Sequence, residues 1–369
     1  MHQCVYPDTS HGRAEMSRRR ALAAFGGLAA IAAGCDTASE TRSTPEPGGA
    51  SVTGVPVVVY TALDKEFSQP VLKIYAKKNG AEVRPVFDVE STKSFGLAGR
   101  IIAEAETPSC DLFWNNEILN TIRLKQRNLL EAFEPKGGKN IPAAFRDPAG
   151  MWYGFAARAR ILLINTKLVG ESERPTSLRD MLDPKWQGKI GIAKPLFGTT
   201  GTHAAALFAM WGDEKAKAFF NELKDNGVVV LSGNRQVAAD VAAGRLAFGL
   251  TDTDDALLEV NAQSPVAISY PDRNPDQGGT LFIPNTVARV RGCRHTEAAD
   301  ALASYLISPD VEQALALGPS GQIPLNPSVD VKLQVESPKT VTPMRVDFDQ
   351  AAALWESTVA PFLTTTFGG

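Results

Sequence analysis

Short apolar segments alternate with amphipathic segments after residue 54, and this order limits the fold more than any other feature of the chain. Residues 55–60 are a β-branched run without polar alternation, which is typical of a strand buried in a parallel sheet. Residues 68–79 are predicted to be a helix, with Pro70 in its first turn and Gly80 after its end. The repetition of this pair predicts an α/β fold with mostly parallel strands and helices on both faces.

The same pattern continues towards the end of the chain. We predict further strands at residues 83–87, 111–114, 161–165, 190–192, 228–231, 246–250, 266–270 and 285–290. We predict further helices at residues 93–105, 116–126, 178–182, 202–211, 213–224, 234–243, 297–307 and 350–355. A chain of 369 residues is expected to form two domains.

Residues 16–36 have the order of a bacterial export signal. Arg18, Arg19 and Arg20 precede the apolar residues 21–33, which are too few to span a bilayer. The run ends in Gly-Cys at residues 34–35, and small residues before a Cys resemble the lipobox of bacterial lipoproteins, whose Cys is acylated. We therefore predict a signal peptide at residues 1–35, with Met16 as an alternative start, and a lipid anchor on Cys35.

The residues around this Cys carry further predictions about location. Residues 36–54 are rich in Ser, Thr, Pro, Gly and Glu and are predicted to be a flexible tether. Asp36 resembles a signal for retention in the inner membrane, so we expect the chain on the periplasmic or cell-surface side, held by its lipid. Residues 17–22 also resemble a twin-arginine signal, so the general and the twin-arginine export routes both stay open.

Charge and composition exclude some partners. The formal net charge of −3 at pH 7 argues against a nucleic-acid surface. No second apolar run reaches membrane length, so we expect membrane contact only through the lipid. Cys110 and Cys293 follow the anchor and are either two buried free thiols or a disulfide, and their spacing does not decide between these.

Polar residues follow most of the predicted strands. In open parallel sheets, ligands bind beyond the carboxyl ends of the strands. Any one of these residues could instead cap a helix, but together they predict a binding site at one edge. The predicted ligand-binding residues are Tyr60, Thr61, Asp64, Glu90, Ser91, Thr92, Asn115, Asn116, Thr199, Thr200, Asn234, Arg235, Thr251, Asp252 and Asp254.

Two short motifs among these residues have competing interpretations. Residues 198–201, Gly-Thr-Thr-Gly before a helix, suit an anion but lack the Lys of a nucleotide-binding loop. Asp252 and Asp254 resemble the acidic pair of haloacid-dehalogenase phosphatases, although Ala256 stands where that motif has Thr or Val. A secreted phosphohydrolase with Asp252 as nucleophile and Asp254 as acid is therefore kept as a remote alternative. We expect His203 on a helix surface and His295 in solvent.

Five stretches of the chain together resemble a known family. They are residues 58–61, 111–117, 158–166, 182–190 and 306–310, and the most specific is the Asp-Pro-Lys-Trp-Gln-Gly-Lys-Ile segment at residues 183–190. From residue 57 to about 326, the chain resembles the ferric-ion-type periplasmic solute-binding proteins of ABC transporters. That branch also contains binders of thiamine, polyamines and phosphonates.

The resemblance implies a type II periplasmic binding fold whose two lobes close like a hinge. Lobe 1 would comprise residues 55–157 and 283–345, lobe 2 residues 158–282, and residues 346–369 a C-terminal helix and tail. Such a protein is not an enzyme, has no cofactor and is expected to be a monomer. It delivers its solute to a membrane permease that is driven by a cytoplasmic ATPase.

Our first choice of solute is Fe³⁺. Ferric members of the family present adjacent Tyr residues where this chain has Thr251 and Asp252, yet the predicted cleft stays acidic. Clustered carboxylates repel one another unless a cation joins them, and Fe³⁺ accepts carboxylate oxygen. The predicted metal ligands, with a synergistic anion, are Asp64, Glu90, Asp252 and Asp254.

A small organic solute is the alternative, of the thiamine, polyamine or phosphonate type. Thr and Asn side chains and Arg235 would hold it, with an anionic group at residues 198–202. An organic cation could instead lie against Trp114 or Tyr60 through cation–π attraction.

Overall fold

Ten strands form one sheet in the residues that the computed structural model describes, 54–88 and 95–368. The predicted signal segment, Cys35 and the site candidates Glu90, Ser91 and Thr92 lie outside these residues. The strands are β1 (Pro56–Thr61), β2 (Glu82–Phe87), β3 (Leu112–Asn115), β4 (Leu130–Glu131), β5 (Tyr153–Asn165), β6 (Ile190–Ala193), β7 (Val229–Leu231), β8 (Phe248–Asp252), β9 (Val266–Ser269) and β10 (Phe282–Val290). Their order is β2-β1-β3-β10-β5-β8-β6-β7, with β4 paired to β10 and β9 to β5.

The sheet consists of two parallel blocks joined by antiparallel strands. In the first block, β1 pairs in parallel with β2 and β3. In the second block, β6 pairs in parallel with β7 and β8. The long strands β5 and β10 run antiparallel between the blocks, so the predicted alternation describes each block but not the strands that join them.

Strand β5 changes partners in the middle of the sheet. Its residues up to Ala159 pair with β10, and from Arg160 onwards it pairs with β8 and β9. All 13 residues of β5 are buried. The two blocks therefore meet between Ala159 and Arg160. Side chains next to this point lie near residues of both blocks.

Helices follow the strands of both blocks. They are α1 (Lys65–Asn79), α2 (Phe95–Ala103), α3 (Leu119–Gln126), α4 (Gly198–Trp211), α5 (Asp213–Asp225), α6 (Asn234–Ala242), α7 (Thr253–Asn261), α8 (Thr296–Leu306), α9 (Pro309–Leu317), α10 (Phe348–Leu354) and α11 (Ala360–Phe367). A π-helical turn, Trp355–Val359, joins the last two. No helix in residues 54–88 and 95–368 has the length and apolar character needed to cross a membrane.

A glycine in β8 lets helix α6 pack closely against the second block. A Cβ on Gly249 would lie 2.5 Å from Val237 Cγ1 and 2.9 Å from the carbonyl oxygen of Gly191, so a larger residue would push the helix away. Asn234 is the first residue of this helix. The close packing thus fixes where Asn234 lies relative to the end of β8.

Three elements differ from the sequence predictions for physical reasons. Strand β5 begins at Tyr153 rather than residue 161, because its first half carries Gly and Arg residues whose partners come from distant segments. Helix α4 begins at Gly198, so residues 198–201 are its first turn rather than a loop before it. Helix α7 follows β8 with no loop between them. We did not predict this helix from the sequence, because the Asp residues at its start were interpreted as part of a binding site.

Candidate functional site

Two buried ion pairs lie where the parallel blocks meet. Arg158 and Arg160 are two residues apart on β5, so their side chains leave the strand on the same face. Arg160 Nη1 lies 2.7 Å from Asp252 Oδ1, and Arg158 Nε lies 3.0 Å from Asp254 Oδ2. The two arginines are at most 1% exposed. We call these four residues the arginine–aspartate cluster.

Antiparallel pairing brings this cluster together. Arg160 lies opposite Asp252 in the register of β5 and β8, and Asp254 is in the first turn of α7 directly after β8. The hydroxyl of Thr253 accepts a hydrogen bond of 3.1 Å from the backbone N–H of Ala159, which holds this turn against β5. Strand pairing therefore places Asp252 beside Arg160, and the first turn of α7 places Asp254 beside Arg158.

Hydroxyl and amide groups from two helix N-termini complete the surroundings of Asp252. Thr199 Oγ1 donates to Asp252 Oδ2 at 2.6 Å, and Asn234 Nδ2 donates to the same oxygen at 3.1 Å. Thr199 and Thr200 each accept a hydrogen bond of 3.2 Å from the guanidinium of Arg160. The Nε–H of Arg160 is buried and has no hydrogen-bond partner within the described ranges.

The expectation that the acidic residues need a solute cation to balance them is wrong for Asp252 and Asp254. Their carboxylates lie within 4.8 Å of each other and of Asp255, but the two arginines already supply two positive charges. Burial lowers the pKa of the Arg158 guanidinium, whereas Asp254, Asp252 and Asp64 raise it, and the net shift is upwards. The cluster is therefore balanced by the chain itself.

Arg235 lies at a more exposed part of the same region. Its guanidinium is 3.6 Å from Glu66 in α1 and 4.0 Å from Asp255 in α7, and its side chain is 47% exposed. Helix α1 connects strands β1 and β2 of the first block, and α6, which carries Arg235, connects β7 and β8 of the second. This ion pair therefore links elements of the two blocks at a solvated position, where such pairs stabilise little.

A second buried carboxyl is bound by neutral donors in the part of the chain that the structure describes. Glu117, which follows β3, accepts hydrogen bonds from Asn115 Nδ2 at 2.8 Å, from Thr202 Oγ1 in α4 at 2.8 Å and from the backbone N–H of Asn120 at 3.1 Å. Burial raises the pKa of Glu117 even though these hydrogen bonds lower it. The Thr121 and Thr286 hydroxyls lie 2.7 Å apart beside it. We call Asn115, Glu117, Thr121, Thr202 and Thr286 the Glu117 network.

The structure brings most of the described site candidates together. Asp252, Asp254, Thr199, Thr200 and Asn234 share one hydrogen-bonded region. Asp64 lies close enough to influence Arg158, and the carbonyl of Asn116 accepts a hydrogen bond from Arg158 Nη1.

Other candidates lie at the edge of this region. Asn115 belongs to the Glu117 network. The hydroxyl of Thr251 donates to the Asn234 carbonyl at 3.0 Å and anchors α6. Thr61 Oγ1 at the end of β1 is buried and has no partner within residues 54–88 and 95–368.

Two aromatic candidates are not available to a solute in this structure. Tyr60 is fully buried, its hydroxyl donates to Glu104 at 3.0 Å, and Arg100 lies over its ring. Trp114 is also fully buried, packs against Phe155 and donates its Nε1–H to Asn285. The predicted roles of these rings in binding an organic cation are therefore wrong, because each ring already belongs to the core.

The sequence analysis missed the residues that organise the site. Arg158, Arg160 and Glu117 were not among the candidates, although the two arginines stand in a largely apolar strand, and Thr202 was named only as the end of the anion segment 198–202. Arginine is almost never fully buried without a partner, so two such residues on one face of a strand are a usable signal. The sequence alone does not show which residues pair with these arginines.

Both histidines differ from expectation. His203 is buried inside α4 rather than on a helix surface, and neither ring nitrogen has a hydrogen-bond partner among the described residues. Burial and the charge of Arg160 lower its pKa well below the ordinary value, so it is neutral. His295 is bound rather than solvated, since its Nδ1 lies 3.1 Å from Asp111 Oδ2.

Cys110 and Cys293 are free thiols in the structure. Burial raises the pKa of Cys110 well above its ordinary value and that of Cys293 to about 11. Both thiols therefore stay protonated at neutral pH and react slowly.

The chain is similar in sequence to bacterial binding proteins. A family model described as bacterial extracellular solute-binding protein matches residues 108–353. The major ferric iron-binding protein of Neisseria meningitidis is 24% identical over 281 residues, which cover 74% of this chain and 82% of that protein. Iron uptake protein A2 of Synechocystis sp. is 26% identical over 247 residues, which cover 64% of this chain and 70% of that protein.

The fold is similar to solved periplasmic proteins with different ligands. Iron-bound HitA from Pseudomonas aeruginosa superimposes with a TM-score of 0.74 at 22% identity, covering 84% of this chain and 99% of that one. AfuA from Actinobacillus pleuropneumoniae, with fructose-6-phosphate bound, gives a TM-score of 0.76 at 20% identity, covering 85% and 99%. Identities this low establish the fold, and the fold alone does not choose a solute.

Proposed function

The chain belongs to the family of bacterial extracellular solute-binding proteins, and on that premise we propose that it captures ferric iron for an ABC importer. The α/β periplasmic binding fold with two lobes, predicted from the sequence, is confirmed by the similarity to solved structures. The family consists of binding proteins, so the chain is not an enzyme. Iron would be its cargo, not a resident cofactor.

The observation that supports ferric iron is the convergence of carboxylates at the junction of the two blocks. Oxygens of Asp252, Asp254 and Asp255 lie within 4.8 Å of one another, and Asp64 is near Arg158 in the same region. Fe³⁺ is a hard cation and prefers oxygen ligands. Relatives in the family are named as ferric iron-binding and iron uptake proteins. We therefore propose Asp64, Asp252 and Asp254 as ligands, with Glu90 from outside the described residues and a synergistic anion.

A phosphohydrolase is rejected. Oδ1 of Asp252 accepts a hydrogen bond from Arg160 and Oδ2 accepts from Thr199 and Asn234, so the carboxylate is built into a network of binding-site donors. The family assignment to binding proteins agrees with this geometry. The acidic pair therefore serves binding rather than catalysis.

A small organic solute with an anionic group is the second candidate, and one observation favours it. Arg160 keeps a buried Nε–H without a hydrogen-bond partner within the described ranges, beside the hydroxyls of Thr199 and Thr200. Guanidinium and hydroxyl donors suit phosphate or phosphonate oxygens. Thiamine and polyamines are less well supported, because the aromatic rings proposed for a cation are buried in the core.

The remaining parts of the proposal concern transport and location. We propose that the loaded protein acts as a monomer and docks on a membrane permease that is driven by a cytoplasmic ATPase. The family name places it outside the cytoplasm. A signal peptide over residues 1–35, acylation of Cys35 and retention at the inner membrane through Asp36 remain proposals from the sequence. The division into lobes at residues 55–157 with 283–345 and at 158–282 is likewise a proposal.

Isothermal titration of the metal-stripped protein with ferric citrate tests the ferric proposal. We expect saturable binding that Asp252→Asn weakens at least about tenfold, since it removes a charged ligand. Asp240→Asn is the matched control, because Asp240 is also paired with an arginine but in the helix α6. Absence of ferric binding, together with thermal stabilisation by an alkylphosphonate or a sugar phosphate, would establish the second candidate instead.

A further inference from the structure

We propose that Arg158 and Arg160 are affinity-determining residues that occupy the carboxylates as internal counter-cations until a cationic solute displaces them. This inference rests on the proposed binding of a metal cation at Asp252 and Asp254. It goes beyond it by assigning the arginines a competitive role rather than a solute-binding one.

The first step is that guanidinium groups already stand where a cation would bind. Arg160 Nη1 is 2.7 Å from Asp252 Oδ1, and Arg158 Nε is 3.0 Å from Asp254 Oδ2. A metal ion needs a carboxylate oxygen at a similar or shorter distance. The guanidinium groups and the ion therefore compete for the same oxygens, and like charges repel at this range.

The second step is that each guanidinium has another acceptor within reach. Arg158 Nη1 also donates to the carbonyl of Asn116. Arg160 Nη1 also donates to Asn234 Oδ1 at 3.0 Å, and both of its terminal nitrogens donate to threonine hydroxyls. A guanidinium that releases its carboxylate thus keeps hydrogen-bond partners, so displacement does not leave it without contacts.

The third step concerns the protein without solute. Two buried carboxylates without counter-charges would repel each other and separate, because they lie close together away from water. The arginines hold Asp252 and Asp254 in position, since each carboxylate retains a cationic partner. The consequence is a preorganised site whose cation affinity is lower than the bare carboxylates would give.

The test compares cation binding by the wild-type protein and by Arg160→Gln. Binding of Fe³⁺ (as ferric citrate) and of Ga³⁺ is measured by isothermal titration on metal-stripped protein. We expect Arg160→Gln to bind both ions about tenfold or more tightly, because a competing positive charge within a few ångströms is gone. Arg245→Gln is the matched control, since it breaks the ion pair of an exposed arginine with Asp240, outside the arginine–aspartate cluster, and should leave affinity unchanged.

A measurement on the wild-type protein covers the case in which Arg160→Gln does not fold. Ga³⁺ is diamagnetic, so the side-chain Nε–H resonances of buried arginines can be followed by NMR during the titration. We expect two of these resonances to shift on saturation, as Arg158 and Arg160 change partners. Binding of Ga³⁺ with no change in any buried arginine resonance would overturn the inference.

The outcomes separate this inference from the ferric proposal. Ferric binding by the wild type with no gain in Arg160→Gln overturns the inference and leaves the ferric proposal standing. Binding by Arg160→Gln alone supports the inference and overturns ferric iron as the natural solute. Absence of binding by both proteins overturns both proposals. Weaker cation binding by Arg160→Gln shows that the arginine holds the solute, and it also overturns the inference.

Discussion

Two buried carboxylate sites near the junction of the parallel blocks solve the same electrostatic problem differently. In the arginine–aspartate cluster, Asp252 and Asp254 each lie beside a guanidinium. In the Glu117 network, the carboxyl is completely buried and its hydrogen-bond donors among the described residues are amide and hydroxyl groups. Neutral donors satisfy the oxygens but do not cancel the charge of the carboxylate.

The two carboxylate sites therefore have different roles, one in solute binding and one in holding the fold together. In the arginine–aspartate cluster each carboxylate is held by a guanidinium that has other acceptors nearby, so the partners of the carboxylates can be exchanged. In the Glu117 network the carboxyl connects the residues after β3 to helix α4 through Thr202, and burial raises its pKa. We infer that the first is the solute site and that the second holds elements of the two blocks in register.

The largest expected effect comes from breaking one ion pair of the arginine–aspartate cluster. Arg158→Met leaves Asp254 buried without its cation and should lower the free energy of unfolding by about 3–5 kcal/mol. The double variant Arg158→Met/Asp254→Leu removes both charges and should recover most of this loss. Urea unfolding at pH 7 measures both. A loss below ~1 kcal/mol in the single variant would show that Asp254 does not depend on this arginine.

A smaller effect is expected in the Glu117 network. Glu117→Gln should lower the free energy of unfolding by about 1–2 kcal/mol at neutral pH, because one of the hydrogen-bond donors around Glu117 then faces an amide N–H instead of an oxygen. The control is Glu134→Gln, an exposed residue whose change should be neutral. Urea unfolding gives the free energies of all three proteins.

The pH dependence of the same variant sharpens the contrast between the sites. The folded state raises the pKa of Glu117 above its ordinary value of 4.5, so it holds this proton more tightly than the unfolded chain. The stabilisation from that proton is present below pH 4.5 and is lost as the pH rises through the folded-state pKa. The stability of the wild type relative to Glu117→Gln should therefore fall with rising pH over this window. If the stability of the wild type relative to Glu117→Gln instead rises with pH, the folded protein stabilises the ionised carboxylate of Glu117 and not the protonated acid.

The smallest effect is expected at the solvated ion pair. Arg235→Gln breaks contacts of 3.6 Å to Glu66 and 4.0 Å to Asp255, and the Arg235 side chain is 47% exposed. Such pairs contribute about 0–1 kcal/mol and are screened by salt. Thermal unfolding at low and high ionic strength measures the change, and a loss comparable to that of Arg158→Met would contradict the ranking.

The sequence predicted the components of the site better than its connections. Asp252, Asp254, Thr199, Thr200 and Asn234 follow or begin regular elements, so their positions at the ends of strands could be predicted from local patterns. The residues that pair with them could not. Arg158 and Arg160 lie more than 90 residues away along the chain. The antiparallel register of β5 and β8 puts Arg160 opposite Asp252, and the first turn of α7 brings Asp254 to Arg158.

The aromatic candidates failed for a related reason. Tyr60 and Thr61 are adjacent at the end of β1, and successive residues of a strand point to opposite faces. Tyr60 packs into the core towards Glu104. The position of Tyr60 at the end of β1 therefore predicted the correct edge of the sheet. It did not predict that the ring lies on the core face rather than on the face of the site.

The sequence by itself determined the alternation of strands and helices, the mostly parallel α/β class and the polar character of the carboxyl ends of the strands, because these follow from local periodicity and from short-range caps and turns. The tertiary structure decided which charges meet. Whether buried carboxylates repel one another, take up a proton or pair with an arginine depends on distances of a few ångströms between remote segments, and Coulomb energies at that range exceed any local preference. Asp252 and Glu117 differ for that reason alone.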